Sequence, residues 1–255
     1  MKLVIFAGGY GSRLSEETQK IPKPMVEIGG LPIIWHIMKY YSSYGINDFI
    51  ICLGYKGDII KSFFLNYKKF NKKISINLKS NLIHTEDKIL EDWNVTLVDT
   101  GLQTQTGGRL RGVKDLVKND KYFFLTYGDG LSDVNINELT EFFIKKNKMC
   151  TVTAVKPRNR FGILDIDSNN LVNKFEEKPE NEWINGGFFI MRPEVINLIK
   201  DDNIPLEKEP MQILVKKKEI CSFKHNGFWQ CMDTLNDKKH LEKLWLNGEA
   251  PWKIW

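Results

Sequence analysis

Apolar positions along this chain alternate between two periods. Leu3 to Phe6 is an unbroken, β-rich apolar run and predicts a buried strand. Behind Pro32, the residues Ile33, Ile34, Ile37, Met38 and Tyr41 share one helical face, and Gly45 is placed to close that helix. Phe49 to Leu53 predicts a second buried strand. Ile59, Ile60, Phe63, Phe64 and Tyr67 then return to the helical period. Strand, helix, strand, helix in that order argues for a parallel sheet with right-handed crossovers.

The rest of the chain continues in shorter pieces. Ile74 to Leu78 and Val95 to Val98 alternate and predict half-buried strands around a polar loop, 81–92. Gly107 to Val117 predicts a helix whose first turn carries two glycines and Arg109. Tyr122 to Tyr127 is the most hydrophobic strand and runs straight into Gly128, Asp129 and Gly130. A helix over 137–147 turns Leu139, Phe142 and Phe143 inward. From Cys150 the pattern becomes more antiparallel, with short strands over 151–155, 163–166 and 171–175. A glycine-containing strand over 184–190 follows, then helices near 194–200 and 210–217. A strand over 221–224 and a final helix bearing Leu241, Leu244 and Trp245 complete the chain. No repeat or low-complexity linker divides it, so it reads as one domain of 255 residues.

Composition narrows the class. Hydrophobic content of 42% with 27% charged residues is that of a globular protein with a sizeable core. A net charge of +5 suits anionic small molecules and falls short of a nucleic-acid binder. The lysines at 68, 69, 72 and 73 and at 216–218 read as solvated helix ends. Cys52, Cys150, Cys221 and Cys231 are far apart, and Lys2 leads directly into a strand. The expectation is free thiols, a cytoplasmic location and no membrane span.

The candidate chemistry sits at two strand ends. Gly8, Gly9 and Gly11 let the backbone turn its N–H groups to one side, a concave anion cradle. Arg13 adds a forked phosphate donor, and Lys23 adds a second cation between Pro22 and Pro24. Neither a Walker loop nor a dinucleotide fingerprint fits, because no Lys follows the glycines and position 14 is Leu. Asp129, between two glycines at the end of a buried strand, is placed to hold a metal. His36 falls among the apolar helix residues and reads as a packed side chain. Asp165 and Asp167 read as a solvated hairpin turn ahead of Ser168.

Taken together these residues resemble the sugar-phosphate nucleotidyltransferases. The stretch Ala7 to Leu14 followed by Pro22, Lys23 and Pro24 is similar to that family's signature. Segments 24–30, 35–39, 93–101, 106–109, 127–130, 184–189 and 250–253 are similar to its branch that transfers a cytidylyl group to glucose 1-phosphate. The resemblance spans the whole chain. It implies a Rossmann-like three-layer α/β/α sandwich with a mixed, mainly parallel sheet and a small antiparallel acceptor-side subsheet. Residues 1–150 would form the nucleotide-binding half and 151–255 the acceptor-binding half. It implies CTP and a sugar 1-phosphate as substrates, Mg2+ as cofactor, and a homo-oligomer.

By position, the resemblance puts Phe6, Ala7, Gly8, Gly9, Tyr10, Gly11, Ser12, Arg13, Lys23, Thr104, Arg109 and Gly128 against the nucleotide. Lys23 and Arg13 would be the catalytic cations, and Asp129 and Asp233 the metal ligands. Glu177, Lys178, Asn185 and Gly186 would meet the acceptor. Tyr10 stands where the family has a small aliphatic residue, and Cys231 where it frequently has Pro. Two other classes are open at this point: a nucleotide-sugar-dependent glycosyltransferase, and a nucleotide-binding regulatory protein without catalysis. A nucleotidyltransferase using another NTP or acceptor phosphate is a third alternative.

Overall fold

The computed structural model describes residues 1–70, 73–86, 91–157, 163–168, 170–176 and 183–255. Seven strands form the central sheet: β1 Lys2–Ala7, β2 Asp48–Leu53, β3 Asn94–Asp99, β4 Phe123–Tyr127, β5 Cys150–Val155, β6 Ile184–Met191 and β7 Ile220–His225. Their order is β7-β5-β6-β4-β1-β2-β3. β1 pairs in parallel with β2 and β4, β2 with β3, and β5 with β7. β6 alone in this sheet runs antiparallel to its neighbours, β5 and β4. The antiparallel character of the second half resides in β6 and in a separate hairpin of Ile163–Ile166 with Val172–Glu176, whereas β7 returns parallel to β5.

The two-residue period of the strands builds two cores, one on each face. Leu3, Ile5 and Ala7 of β1, with Phe49, Ile51 and Leu53 of β2, face one side. There they meet α1 (Ile33–Ser42), α2 (Gly57–Phe70), α4 (Ile136–Lys146) and α6 (Leu235–Leu246). Val4, Phe6, Ile50 and Cys52 face the other side. They meet Leu110 of α3 (Thr106–Gly112) and Leu214 of α5 (Glu209–Lys216), together with Val195 and Ile196. Helices on both faces of a mixed sheet make the three-layer sandwich. Burial on both faces explains why β1 and β2 read as continuous apolar runs rather than alternating ones.

Two local expectations need correction. Leu82–Glu86, placed in a polar loop by its sequence, is a strand paired with Lys73–Asn77 in a hairpin outside the main sheet. The turn between them is made by Asn77, whose side-chain oxygen accepts from the amides of Lys79 and Ser80, and by Asn81 at φ +54°. Pro193–Leu198 is a 3₁₀ turn and not an α-helix. Its i→i+3 bonds bury the β-branched Val195 and Ile196, whose helix propensity is low. Asp167 lies in a hairpin turn as expected, its carboxylate accepting from the amide of Leu171.

His36 is fully buried on α1. Its Nε2 donates to the Ile28 carbonyl at 2.8 Å, and its Nδ1 accepts from the Trp252 indole at 3.4 Å. This pairing uses the neutral ring, and burial pushes the imidazole down to about 4 from an ordinary 6.5. The unfolded chain therefore binds a proton that the native state refuses, so this contribution is full above pH 6.5 and is lost as pH falls towards 4. The expected loss is about 3 kcal/mol. Urea-unfolding free energies at pH 7.5 and 4.5 should show this component in the wild type and not in His36→Phe. Equal pH dependence in the two proteins would contradict the assignment.

Candidate active site

β1 and β4 are adjacent and parallel, so their carboxyl ends deliver the glycine loop and Asp129 side by side. Gly128 donates its amide to the Phe6 carbonyl at 2.9 Å, and a methyl group there would crowd that carbonyl and Pro24. Gly11 takes φ +64° and would otherwise press on Thr18, whose hydroxyl donates to the Gly11 carbonyl. Lys23 opens a 3₁₀ turn after Pro22, which is held extended at φ −68°, ψ 148°.

Asp233 arrives from a distant part of the chain by a different device. Trp229–Cys231 pairs antiparallel with Gly130–Ser132, and the Met232 amide donates to the Asp129 carbonyl. This ribbon lays the segment carrying Asp233 beside Asp129. A capping box then fixes Asp233 at the start of α6. The buried Asp237 accepts from the amides of Asp233 and Thr234, while the Thr234 hydroxyl caps the Asp237 amide. Asp237 escaped the sequence reading, although Thr234 followed three residues later by Asp237 is a capping-box spacing.

The resulting cluster is tight. The Lys23 ammonium donates to Asp129 at 2.5 Å and to Asp233 at 2.6 Å, and Arg13 donates to the other oxygen of Asp233 at 2.6 Å. The Lys23 side chain is 11% exposed and the two carboxylates about a quarter. Burial alone would discharge Lys23, but the negative charge of Asp129, the neighbouring Cys231 and the hydrogen bonds to Asp129 and Asp233 together outweigh it and raise the ammonium well above its ordinary value. Burial likewise opposes the Asp233 charge, and the Lys23 hydrogen bond and charge, with Arg13 behind, override it and hold the carboxyl below its usual range.

Two cavities meet at this cluster. The first, about 340 Å³, is lined by Phe6, Ala7, Gly8, Gly9, Tyr10, Gly11, Ser12, Arg13, Lys23, Thr104, Arg109, Gly128, Asp129 and Asp233. It therefore gathers the residues expected around a nucleotide. The second, about 310 Å³, is lined by Asn185 and Gly186 together with Tyr127, Trp229 and Cys231. Arg13, Tyr127, Asp129 and Asp233 line both. Glu177 and Lys178 lie outside the described residues. Tyr127, Trp229 and Gln103 were not singled out from sequence. Tyr127 is the last residue of a buried strand, and that position was its one signal.

Arg109 lines the first cavity and has a structural part as well. It is 4% exposed, and its guanidinium donates to the carbonyls of Gly8, Leu53 and Gly101 and to the Thr100 hydroxyl at 2.8–3.0 Å. A methyl group on Gly8 or Gly54 would overlap it. Arg109 thus ties the glycine loop to the ends of β2 and β3 through Nη1 and Nη2 while lining the first cavity.

Asp129, Asp233 and Cys231 bring ligand atoms within 4.8 Å of one another. Two carboxylates already holding a cation fit a hard divalent ion that takes its remaining ligands from phosphate and water. The Cys231 sulfur does not suit such an ion.

An anion loop and a cation–carboxylate cluster at the strand ends of a mixed α/β sheet define a nucleotide-handling enzyme of the Rossmann-like class. The chain belongs to the nucleotidyl transferase family, whose model matches residues 2–233. It is 52% identical to glucose-1-phosphate cytidylyltransferase of Salmonella typhi over 257 aligned positions, with both chains fully covered. It is 40% identical to a probable glucose-1-phosphate cytidylyltransferase of Bacillus subtilis, again over the full length of both. The crystal structure of HddC from Yersinia pseudotuberculosis shares the fold, with a TM-score of 0.69 at 23% identity over 96% of this chain and 99% of that one.

Arg109→Met would remove the guanidinium's bonds to three carbonyls and a hydroxyl, leaving the Gly8 and Leu53 carbonyls with backbone donors but the Gly101 carbonyl without its Arg109 donor, and should destabilise the protein by about 3 kcal/mol in urea unfolding. Arg109→Lys should recover only part of this, because one ammonium cannot reach all four oxygens. An Arg109→Met protein as stable as the wild type would remove the strut assignment.

Proposed function

We propose that this enzyme transfers a cytidylyl group from CTP to glucose 1-phosphate, giving CDP-glucose and pyrophosphate. The observation that carries the reading is the Lys23 ammonium between Asp129 and Asp233 where the two cavities join. The named relatives, 52% and 40% identical over their full lengths, support CTP and glucose 1-phosphate as the pair.

The nucleotide occupies the first cavity, its phosphates on the amides of Gly8 to Gly11. The acceptor enters the second, where Asn185 and Gly186 line the wall. Its phosphate is largely dianionic at neutral pH, since the second pKa is about 6, and needs no base to become a nucleophile. A phosphate oxygen attacks the α-phosphorus in line. The new P–O bond forms as the α–β bridge breaks, and pyrophosphate leaves with the bridging electron pair. Lys23 and Arg13 reduce the repulsion between the two anions and stabilise the charge that develops on the α-phosphoryl oxygens. Asp129 and Asp233 would hold Mg2+, which when bound neutralises further phosphate charge.

A homo-oligomer and a cytoplasmic location belong to the same reading. Exposed Ile76, Leu78, Leu82 and Ile83 on the 73–86 hairpin support self-association. Among the described residues, no helix is long and apolar enough to cross a membrane.

The deciding assay is pyrophosphate release over four nucleoside triphosphates crossed with a panel of sugar phosphates. CTP with glucose 1-phosphate should be fastest; release from no pair sinks the transferase reading, and release with a different acceptor corrects only the substrate. Lys23→Ala should lower kcat by about 10²–10³-fold with the fold retained. Asp129→Asn should lose metal-dependent turnover, and near-normal activity in that variant would remove the metal assignment.

A further inference from the structure

Glu207 lies in the loop between the 3₁₀ turn and α5, outside every motif considered above. Its two carboxylate oxygens have separate partners. Oε2 accepts from the Thr106 hydroxyl at 2.6 Å, and Oε1 accepts from the Tyr127 hydroxyl in a short hydrogen bond. Thr106 begins α3 and lines the nucleotide cavity, while Tyr127 ends β4 and lines both cavities. The Thr106 oxygen also accepts from the Leu206 amide at 2.9 Å, which anchors the segment carrying Glu207. The Tyr127 oxygen in turn accepts from Asn185 Nδ2 at 3.4 Å, on the wall of the second cavity.

The direction of these bonds matters. A phenol has one proton, and here the Glu207 carboxylate takes it, so only lone pairs face Asn185. The Asn185 amide must therefore turn its nitrogen towards Tyr127. Its Oδ1 independently accepts from the Gly187 amide at 2.8 Å, which demands the same orientation. One Nδ2 hydrogen is thereby left as a donor for the cavity, the polarity that a phosphate or sugar oxygen needs. The Tyr127 ring is also braced from behind: Gly187 sits at φ +79°, and a side chain there would meet the ring at 2.7 Å.

The geometry points to Glu207 as a positioning residue for acceptor recognition: through Tyr127 it fixes the Asn185 amide as a hydrogen-bond donor into the second cavity. The assignment rests on the reading of that cavity as the acceptor site. Because Glu207 also holds Thr106, it ties this wall to the nucleotide cavity.

The test compares full-length wild type, Glu207→Ala, Glu207→Gln, Tyr127→Phe and the Glu207→Ala/Tyr127→Phe double variant. Initial rates of pyrophosphate release are measured with CTP and glucose 1-phosphate varied in turn. Glu207→Ala should raise the acceptor KM about fivefold or more, with the CTP KM within about twofold and kcat within about threefold. Tyr127→Phe should do the same, the double variant no more than the worse single one, and Glu207→Gln should recover much of the loss. An acceptor KM within about twofold of wild type in Glu207→Ala overturns the proposal, as do additive effects or equal rises in both KM values with a lowered Tm. A second arm does not depend on the reaction. In a crystal structure of Glu207→Ala, loss of the Tyr127–Asn185 contact supports the proposal, and an unmoved pair overturns it. If the wild type releases pyrophosphate only with another pair, the kinetic arm is run with that pair; if it releases none with any pair, the transferase reading fails and this second arm alone decides the role of Glu207.

Discussion

One ammonium group against two carboxylates is the interaction on which the rest of the site depends. Asp129 and Asp233 would repel each other at this separation without a cation between them, and Lys23 supplies it. With Arg13 on the far oxygen of Asp233, the cluster balances two positive against two negative charges. Such partly buried ion pairs are costly to desolvate, and removing one partner is worse than never having built the pair. The groups come from residues 13, 23, 129 and 233, so the site forms only when the whole sheet does.

The sheet explains how this is achieved. Parallel β1 and β4 end at the same height and bring the glycine loop to Asp129. The antiparallel β6 pairs with β4 and carries Asn185 to the opposite side of Tyr127. A two-stranded ribbon lays the residues before Asp233 against Gly130 to Ser132. The two cavities therefore share Arg13, Tyr127, Asp129 and Asp233, and the ion-pair cluster stands where they meet. Arg109 and Asp237 contribute from below. One holds the glycine loop to its neighbours, and the other sets the start of the helix that fixes Asp233.

Legibility in the sequence followed physical locality. β1, β2, α1 and α2 were read almost to the residue, because apolar period and turn glycines act within one element. The hairpin strand Leu82–Glu86 was missed because Leu82 and Ile83, its apolar residues, are exposed, so no burial pattern marks it. The strut formed by Arg109 carried no sequence signal, because an arginine beside glycines at a helix start looks the same whether or not it also meets three carbonyls. Only the positions of Gly8, Leu53 and Gly101 separate the two cases. Glu207 carried no signal at all, since its partners Thr106 and Tyr127 are remote in sequence.

By itself, then, the sequence determined which segments turn, which are buried, and that an anion loop and a lone aspartate end two apolar strands. Those are consequences of backbone sterics and of the cost of exposing apolar surface, and both act over a few residues. Tertiary structure alone decided which charges meet, which arginine is buried and which way the Asn185 amide is turned. Electrostatic and hydrogen-bond energies depend on separations of a few ångströms between groups that the chain keeps tens or hundreds of residues apart.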